Sequence, residues 1–294
     1  GFMLAIDFTS IVIAVAFMSV LGLVLSGILA LANHKLWVYE DPRIDEVEDL
    51  LPKTNCGACG TAGCRPFAQA LIEGELTPAN CTVSSGEEID EIAEYLGVDA
   101  GDVVKRVARL ACAGGAHVAR QRAHYAGLDS CRAAALIAGG PKSCTWGCLG
   151  LADCEDVCDQ DAITMDMHGL PVVDNDKCTA CEDCVDICPK GLFSIQPITH
   201  RLWVACNNLL RDDEAEADCE VACTGCEKCA KDAPPGLIQI QNNLARVDYS
   251  KNNLASPIPI ERCPTGAIVW LDEVQGTRKG IKAKHIIREE ALPL

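Results

Sequence analysis

The chain begins with a long apolar segment that carries no charge. Residues 11–32 form a run of 22 without a charged side chain. At 1.5 Å per residue, a helix of this length spans a bilayer core of about 30 Å. A secretory signal peptide is the alternative, because Ala30-Leu31-Ala32 resembles a cleavage site, but only Asp7 precedes the run and a basic leading region is missing. We therefore expect a retained single transmembrane helix within an anchor at residues 1–35.

Behind the anchor, apolar residues recur first with helical spacing and later in short alternating runs. Ser85 and Glu88 form a capping box ahead of a helical pattern, residues 65–73 also read as a helix, and another is predicted over 102–110. Alternating stretches turn at His168-Gly169 and at Asn242-Asn243, which predicts two β-hairpins. The pattern indicates an α+β chain with five parts behind the anchor: a small mainly helical domain (36–100), a helical connector (101–140), two ferredoxin-like hairpin modules (141–200 and 201–275) and a basic tail (276–294).

Cysteine content indicates what stabilises this chain. It has 20 cysteines but only 4% aromatic residues, so bound metal would supply folding free energy that a small apolar core lacks. A disulfide-rich secreted protein is the alternative. The closely spaced C-x2-C-x2-C runs disfavour it, because disulfide geometry restricts which cysteines can pair.

The clearest run is Cys178-x2-Cys181-x2-Cys184-x3-Cys188-Pro189, the pattern of bacterial ferredoxins. In such modules the first three thiolates hold one [4Fe–4S] cluster and the fourth ligates the neighbouring cluster. A run with wider spacing precedes it, in which Asp159 stands where proline is usual. The exchange rule predicts two ligand sets: Cys144, Cys148, Cys154 and Cys188, and Cys158, Cys178, Cys181 and Cys184.

A second copy of the module is incomplete. The fourth position of its first run is Ala233, and the ferredoxin offsets before its closing cysteine fall on Asn253, Ser256 and Pro259, none of them an expected ligand. One of its two cluster sites is therefore lost. The retained ligand set is Cys223, Cys226, Cys229 and Cys263.

Two further cysteine groups complete the count. In the first, Gly57, Gly60 and Gly63 alternate with the sulfurs and let the backbone curl around a cluster, so we expect a [4Fe–4S] cluster there, with a zinc ribbon as the alternative. Its members are Cys56, Cys59, Cys64 and Cys81. The second group has no close spacing, and it is either a fifth cluster or four free thiols; an exchange of Cys112 or Cys131 with Cys144 or Cys148 stays open. Its members are Cys112, Cys131, Cys206 and Cys219.

Charge excludes some functions and orients the anchor. The net charge of −17 argues against nucleic-acid binding, and no GxGxxG, Walker A or HExxH motif is present, so no flavin or nucleotide is expected in this chain. His34, Lys35 and Arg43 follow the apolar run 11–32 and Asp7 precedes it, so the positive-inside rule places the soluble part in the cytoplasm. The tail is either a solvated end or a docking patch for an acidic partner or lipid headgroups. Its cations are Arg278, Lys279, Lys282, Lys284 and Arg288.

Together these parts resemble a known family. An N-terminal membrane helix followed by LLPKTNCGACGTAGC, GGPKSCTWGCLGLADC and CTACEDCVDICPK is similar to the B subunit of the Rnf complex, a membrane-bound ferredoxin:NAD oxidoreductase. The resemblance covers residues 11 to about 270. It implies a subunit that accepts electrons from reduced ferredoxin and passes them toward a flavin- and NAD-binding subunit, with coupled Na+ or H+ transport across the prokaryotic inner membrane. The lost cluster site in the second module departs from relatives that keep it.

No side chain is expected to act as a nucleophile or a general acid, so we expect no catalytic residue and no complete turnover by this chain alone. Its residues would fix cluster spacing and tune cluster potentials. Two other functions stay open. One is a polyferredoxin-type subunit of another membrane oxidoreductase, such as a hydrogenase or quinone reductase, although such a subunit does not need the first cysteine group. The other is a non-catalytic, membrane-anchored cluster scaffold.

Overall fold

The computed structural model describes residues 8–36, 40–102, 104–272 and 276–293. The chain divides into two compact units, Gly1–Glu46 and Val47–Leu294, which are described separately.

The α-helices are α1 (Phe8–Leu36), α2 (Arg43–Leu50), α3 (Cys64–Glu73), α4 (Gly86–Leu96), α5 (Cys131–Leu136), α6 (Asp153–Asp156), α7 (Asp183–Ile187), α8 (Asp212–Asp218) and α9 (Lys228–Asp232), and the 3-10 helices are η1 (Pro78–Asn80), η2 (Tyr249–Leu254) and η3 (Ile258–Ile260). The strands are β1 (Arg106–Leu110), β2 (Ile163–Met165), β3 (Pro171–Val173), β4 (Phe193–Pro197), β5 (Leu202–Val204), β6 (Ile238–Gln241), β7 (Leu244–Val247), β8 (Ile268–Asp272) and β9 (Gly276–Arg278).

The first unit consists mainly of α1. Within it, Val12–Lys35 has 24 residues and a mean hydropathy of 2.6. At 1.5 Å per residue this segment is about 36 Å long, which exceeds the thickness of a bilayer core. Apolar side chains surround the helix on all sides and do not form a single face. Helix α1 is therefore suited to a lipid environment by length and composition, and among the described helices it alone meets this test.

A small apolar core supports the N-terminal part of the second unit. The predicted helix over 65–73 is confirmed as α3, and the predicted capping box is confirmed at the start of α4. There Ser85 Oγ accepts a hydrogen bond from the Glu88 N–H at 3.3 Å, and the Glu88 carboxylate accepts one from the Ser85 N–H at 2.8 Å. The fully buried side chains of this core are Val47, Phe67, Leu71, Ile89 and Ile92.

The predicted helix over residues 102–110 is wrong. Arg106–Leu110 forms strand β1, which pairs antiparallel with β4 and places Ala108 opposite Ile195. This pairing satisfies the backbone of five residues and buries Val107 and Ala108, a long-range gain that overrides local helical spacing in a short apolar run. In the described residues of the segment 101–140, which are all but 103, helix is confined to α5.

Two strand sets in the second unit have the same order. In the first, β1 pairs with β4 around the β2–β3 hairpin, and in the second, β5 pairs with β8 around the β6–β7 hairpin. Both hairpins lie where the alternating pattern predicts them, with Ile163 opposite Val173 and Ile238 opposite Val247. Strand β9 adds to β8 in the second set alone. The repeated order agrees with a duplicated module.

Apolar side chains fill the second strand set where its ligands are missing. Pro259, one of the offsets without a cysteine, is buried in η3 beside the fully buried Ile260. Ala233, which stands at the fourth position of the first run, packs against the same core. Leu237 and Leu244 complete it from the hairpin. Packing by these side chains stabilises the module where the sequence lacks a second ligand set.

The basic tail folds back onto the second strand set. Three of its five cations form ion pairs with carboxylates of the same chain, which lowers the positive charge that the tail presents to a partner. The backbone follows the same course, because the Lys284 N–H donates to the Pro264 carbonyl at 2.9 Å. The ion pairs are Arg278–Glu261, Lys284–Glu216 and Arg288–Glu220.

Candidate iron–sulfur centres

Three cavities are each lined by four cysteines. Their empty volumes are about 340, 360 and 330 Å³. None of the twenty cysteines, all of which are described, forms a disulfide. The cavities define the bridging set (Cys112, Cys144, Cys206 and Cys219), the C-terminal set (Cys223, Cys226, Cys229 and Cys263) and the inner set (Cys158, Cys178, Cys181 and Cys184).

The spacing of these thiols fits a cluster better than a single ion. Across the described residues, no three His, Cys, Asp or Glu side chains converge closely enough to hold one metal ion. A zinc site needs four ligands that each lie about 2.0–2.3 Å from one metal. A [4Fe–4S] cluster is instead held by four thiolates on four separate iron atoms, so its ligands stand further apart. The same argument disfavours the zinc ribbon considered for the first cysteine group.

The inner set is the one that the exchange rule predicts. Its run enters α7, whose first turn carries Cys184. Burial raises the pKa of the Cys184 thiol to about 12, and the nearby thiols of Cys178, Cys181 and Cys158 raise it further. The Ala108 N–H of β1 donates to Cys178 Sγ at 3.4 Å. Strand β1 therefore contributes directly to this ligand set, although its segment was expected to be helical.

The other cysteines of the first module are not arranged as the exchange rule predicts, because Cys144 lies apart from them in the bridging cavity. Burial raises the pKa of the Cys154 thiol to about 12, and the neighbouring thiols of Cys131 and Cys188 raise it further. The Cys131 thiol also raises the pKa of the Cys148 thiol. Cys144, which the exchange rule assigns here, lies in the bridging cavity. On these couplings we group Cys131 with Cys148, Cys154 and Cys188, and we name these four the outer set.

Asp153 explains why Cys131 joins the outer set. This carboxylate, 9% exposed, lies next to Cys154 at the start of α6. It accepts hydrogen bonds from the Cys131 N–H at 2.8 Å, from the Arg132 N–H at 3.1 Å and from Ser130 Oγ at 3.0 Å. These bonds attach the first turn of α5 to the start of α6, the helix that carries Cys154. The spacing of cysteines does not reveal such a contact.

The bridging set is drawn from three parts of the chain. Cys112 follows β1, Cys144 belongs to the first module, and the last two precede the C-terminal set. The fifth group expected from the sequence has Cys131 in place of Cys144, and the sequence left an exchange of these two residues open. Burial raises the pKa of both Cys206 and Cys219 to about 12. Because the ligand is the thiolate, loading any of these buried sets with metal must release protons.

The C-terminal set agrees with its predicted members. Cys229 lies in α9. Burial raises the pKa of its thiol to about 12, and the neighbouring Cys223 thiol raises it as well. Gly225, with φ +67°, lies between the first two cysteines of the run. A Cβ at Gly225 would stand 2.9 Å from the Asn243 carbonyl oxygen, so the hairpin turn packs directly on the cysteine loop.

The remaining four cysteines form the N-terminal set, Cys56, Cys59, Cys64 and Cys81. Asn55 Oδ1 accepts from the Cys64 N–H at 2.8 Å, and a Cβ at Gly63 (φ +147°) would lie 2.8 Å from the same oxygen. Ser84 Oγ donates to Cys81 Sγ at 3.2 Å. These hydrogen bonds fix the loop before α3 and supply a donor to sulfur.

Contacts between the five sets follow one order. Thr82 Oγ1, beside the N-terminal set, donates to the Thr179 carbonyl of the inner set at 2.7 Å. The inner and outer sets meet in one buried cluster that contains both Cys154 and Cys184. Two backbone hydrogen bonds to sulfur make the last links: Cys148 N–H to Cys112 Sγ at 3.4 Å, and Cys223 N–H to Cys206 Sγ at 3.3 Å. The order is therefore N-terminal, inner, outer, bridging and C-terminal.

One residue of the bridging cavity was missed by sequence reasoning. Lys142 lies in the stretch GGPKSC, but only its cysteine was considered. The structure buries Lys142 to 4% exposure and places it in the cavity wall. No local pattern predicts this, because its neighbours come from a loop 28 residues earlier in the chain.

Two family models match segments of the chain. One, described as "Putative Fe-S cluster", matches residues 51–83 and so includes the whole N-terminal set. The other, described as "4Fe-4S binding domain", matches residues 171–193 and includes the run from Cys178 to Cys188. Iron–sulfur binding is thus supported for both segments.

Curated relatives extend the similarity to most of the chain, and each of them is the B subunit of its complex. The relative from the Na(+)-translocating ferredoxin:NAD(+) oxidoreductase complex of Acetobacterium woodii is 38% identical over 88% of this chain and 78% of its own length. The relative from the proton-translocating ferredoxin:NAD(+) oxidoreductase complex of Clostridium ljungdahlii is 37% identical over 88% and 92%. The relative from the ion-translocating oxidoreductase complex of Methanosarcina acetivorans is 32% identical over 71% and 79%.

Proposed function

The chain belongs to the B-subunit family of the ion-translocating ferredoxin:NAD oxidoreductases, the Rnf complexes, and from that premise we propose that its twenty cysteines hold a relay that receives electrons from reduced ferredoxin. The chain is an iron–sulfur electron-transfer subunit of such a complex. The family resemblance inferred from its motifs is confirmed.

We assign one [4Fe–4S] cluster to each of the five cysteine sets. When bound, such clusters supply one-electron redox chemistry at potentials set by their surroundings. The single observation that carries the relay is the unbroken order of contacts from the N-terminal set to the C-terminal set. Neighbouring sets are linked by a hydrogen bond, between cysteines or between residues next to them, or by packing in one buried cluster, which suits transfer over short steps.

The protein's residues contribute position and electrostatics. Backbone N–H groups of Ala108, Gly114 and Asn208 donate to cysteine sulfurs at 3.4 Å, and such bonds raise the potential of a cluster by favouring its reduced form. No acid, base or nucleophile is required, so the chain alone completes no turnover. The flavin- and NAD-binding functions belong to other subunits of the complex.

We place α1 in the prokaryotic cell membrane as a single span, with the cysteine-bearing unit on the cytoplasmic side. The length and apolar surface of α1 support the span, and Lys35 in its last turn and Arg43 after it support the orientation. A cytoplasmic position brings the cysteine sets within reach of soluble ferredoxin and of the machinery that builds clusters. Coupling to Na+ or H+ transport is then a property of the complex.

Anaerobic titration of the detergent-extracted complex with reduced ferredoxin, followed by EPR, tests this function. We expect signals from several interacting reduced [4Fe–4S] clusters, and their loss when NAD is added. Clusters that stay oxidised would overturn the relay in favour of a structural scaffold. Clusters that are reduced but unaffected by NAD would assign the chain to another membrane oxidoreductase.

A further inference from the structure

Lys142 is a buried cation without a protein anion. Its side chain is 4% exposed, and its Nζ donates to the neutral Gly114 carbonyl at 2.6 Å. In the described part of the chain it forms no ion pair with a carboxylate. Lysine is almost never buried unless its charge is paired, because desolvation of an ammonium group is costly. Its position therefore indicates an anionic group inside the bridging cavity.

Thiols are the groups that face this ammonium. Lys142 lies in the wall of the cavity formed by the bridging set, and its charge acts on Cys144, on Cys219 and on the neighbouring Cys148. Asp218 is the carboxylate whose charge acts on Cys144, but the cation whose charge acts on Asp218 is Arg122. The negative charge available to Lys142 is thus that of cysteine thiolates and what they bind.

Gly114 sets the distance between the cation and the sulfurs. A Cβ at this position would stand 3.1 Å from Cys219 Sγ and 3.6 Å from Cys112 Sγ, so the backbone itself lies against both thiols. The Gly114 N–H donates to Cys112 Sγ at 3.4 Å, while its carbonyl holds Lys142. One residue therefore fixes a sulfur ligand and the ammonium together.

We propose that Lys142 is the counter-cation of the [4Fe–4S] cluster in the bridging set and raises the reduction potential of that cluster. The inference rests on the proposed fifth cluster. A one-electron reduction would make a cluster held by these four thiolates more negative. A fixed cation in a desolvated wall favours the reduced form over the oxidised form. Lys142 would thus favour the residence of an electron at the junction between the two modules.

Potentiometric EPR titration of the complex compares Lys142→Met, which removes the charge, with Lys142→Arg, which keeps it. Lys282→Met, at an exposed tail position, is the matched control. At fixed potential we expect Lys142→Met to lower the reduced-to-oxidised ratio of one cluster about tenfold, a shift of about 59 mV for one electron. Lys142→Arg and Lys282→Met should leave all cluster potentials near those of the wild type.

Iron content separates failure of this inference from failure of the proposed function. A wild-type chain with about 16 iron atoms instead of about 20 would refute the fifth cluster itself. Full iron in Lys142→Met with unchanged potentials would overturn the role of the charge. Loss of one cluster in Lys142→Met but not in Lys142→Arg would support it. Loss in both variants would overturn it and indicate that the lysine acts through packing.

Discussion

Replacing Asp153 by asparagine tests how the outer set is assembled. The carboxylate accepts three hydrogen bonds, from the Cys131 and Arg132 N–H groups and from Ser130 Oγ, at 2.8–3.1 Å. Hydrogen bonds to a charged group contribute about 1.5–3 kcal/mol each, and the amide of asparagine keeps one acceptor oxygen. The loss of one or two bonds should therefore weaken the attachment of α5 by about 3 kcal/mol, which corresponds to about a hundredfold increase in local opening.

Hydrogen exchange followed by mass spectrometry, together with iron analysis, measures this effect. Peptides that contain Cys131 and Arg132 should exchange about a hundredfold faster in Asp153→Asn, and the purified chain should lose up to one cluster. Asp156→Asn, an exposed carboxylate on the same helix, is the control and should change neither reading. If the Asp153→Asn chain kept the hydrogen-exchange protection and the iron content of the wild type, the assignment of Cys131 to the outer set would be refuted.

Two further predictions concern backbone packing and pH. Gly150 has φ +74°, and a Cβ there would stand 2.7 Å from the Gly169 carbonyl oxygen. The control Gly191→Ala (φ +56°, open space) adds only about 1–2 kcal/mol of left-handed strain and should lower the unfolding temperature by roughly 2–8 °C. Gly150→Ala adds the backbone clash to that strain and should lower the unfolding temperature further, so equal losses would contradict the contact. Burial and then the neighbouring His168 lower the pKa of His117 below 6.5, so the unfolded chain binds the proton more tightly than the folded chain. The contribution of His117 to stability should therefore be full above pH about 6.5 and fall as the pH drops below it. His117→Gln should flatten this pH dependence in anaerobic calorimetry, and an unchanged slope would refute its origin in His117.

The local cysteine runs could be predicted because their ligands lie within a few residues of one another. The loop from Cys178 to Cys184 has little freedom to place its thiols elsewhere, and its fourth cysteine follows the two-cluster rule. The hairpins were predicted for a similar reason, since an alternating pattern and a turn are both local signals. The same reasoning supported the C-terminal set, where one closing cysteine remains.

The rest of the candidate sites depends on contacts between distant residues. Cys144 lines the bridging cavity, while Asp153 attaches the start of α5, with Cys131, to the helix that carries Cys154; no spacing rule contains that hydrogen-bonded contact. Strand β1 was misread as helix because its partner lies more than 80 residues later, with Ala108 opposite Ile195. Lys142 acquires its role only when the chain is folded around the bridging cavity.

Interruption of the relay at the bridging set tests the account most directly. In the intact complex, Cys206→Ser removes one ligand of that set, and Cys219→Ser provides an independent second variant. We predict that reduced ferredoxin then reduces clusters on only one side of the interruption, so that EPR detects either the C-terminal cluster alone or the other three. Rapid reduction of all four remaining clusters, as fast as in the wild type, would contradict a single continuous relay.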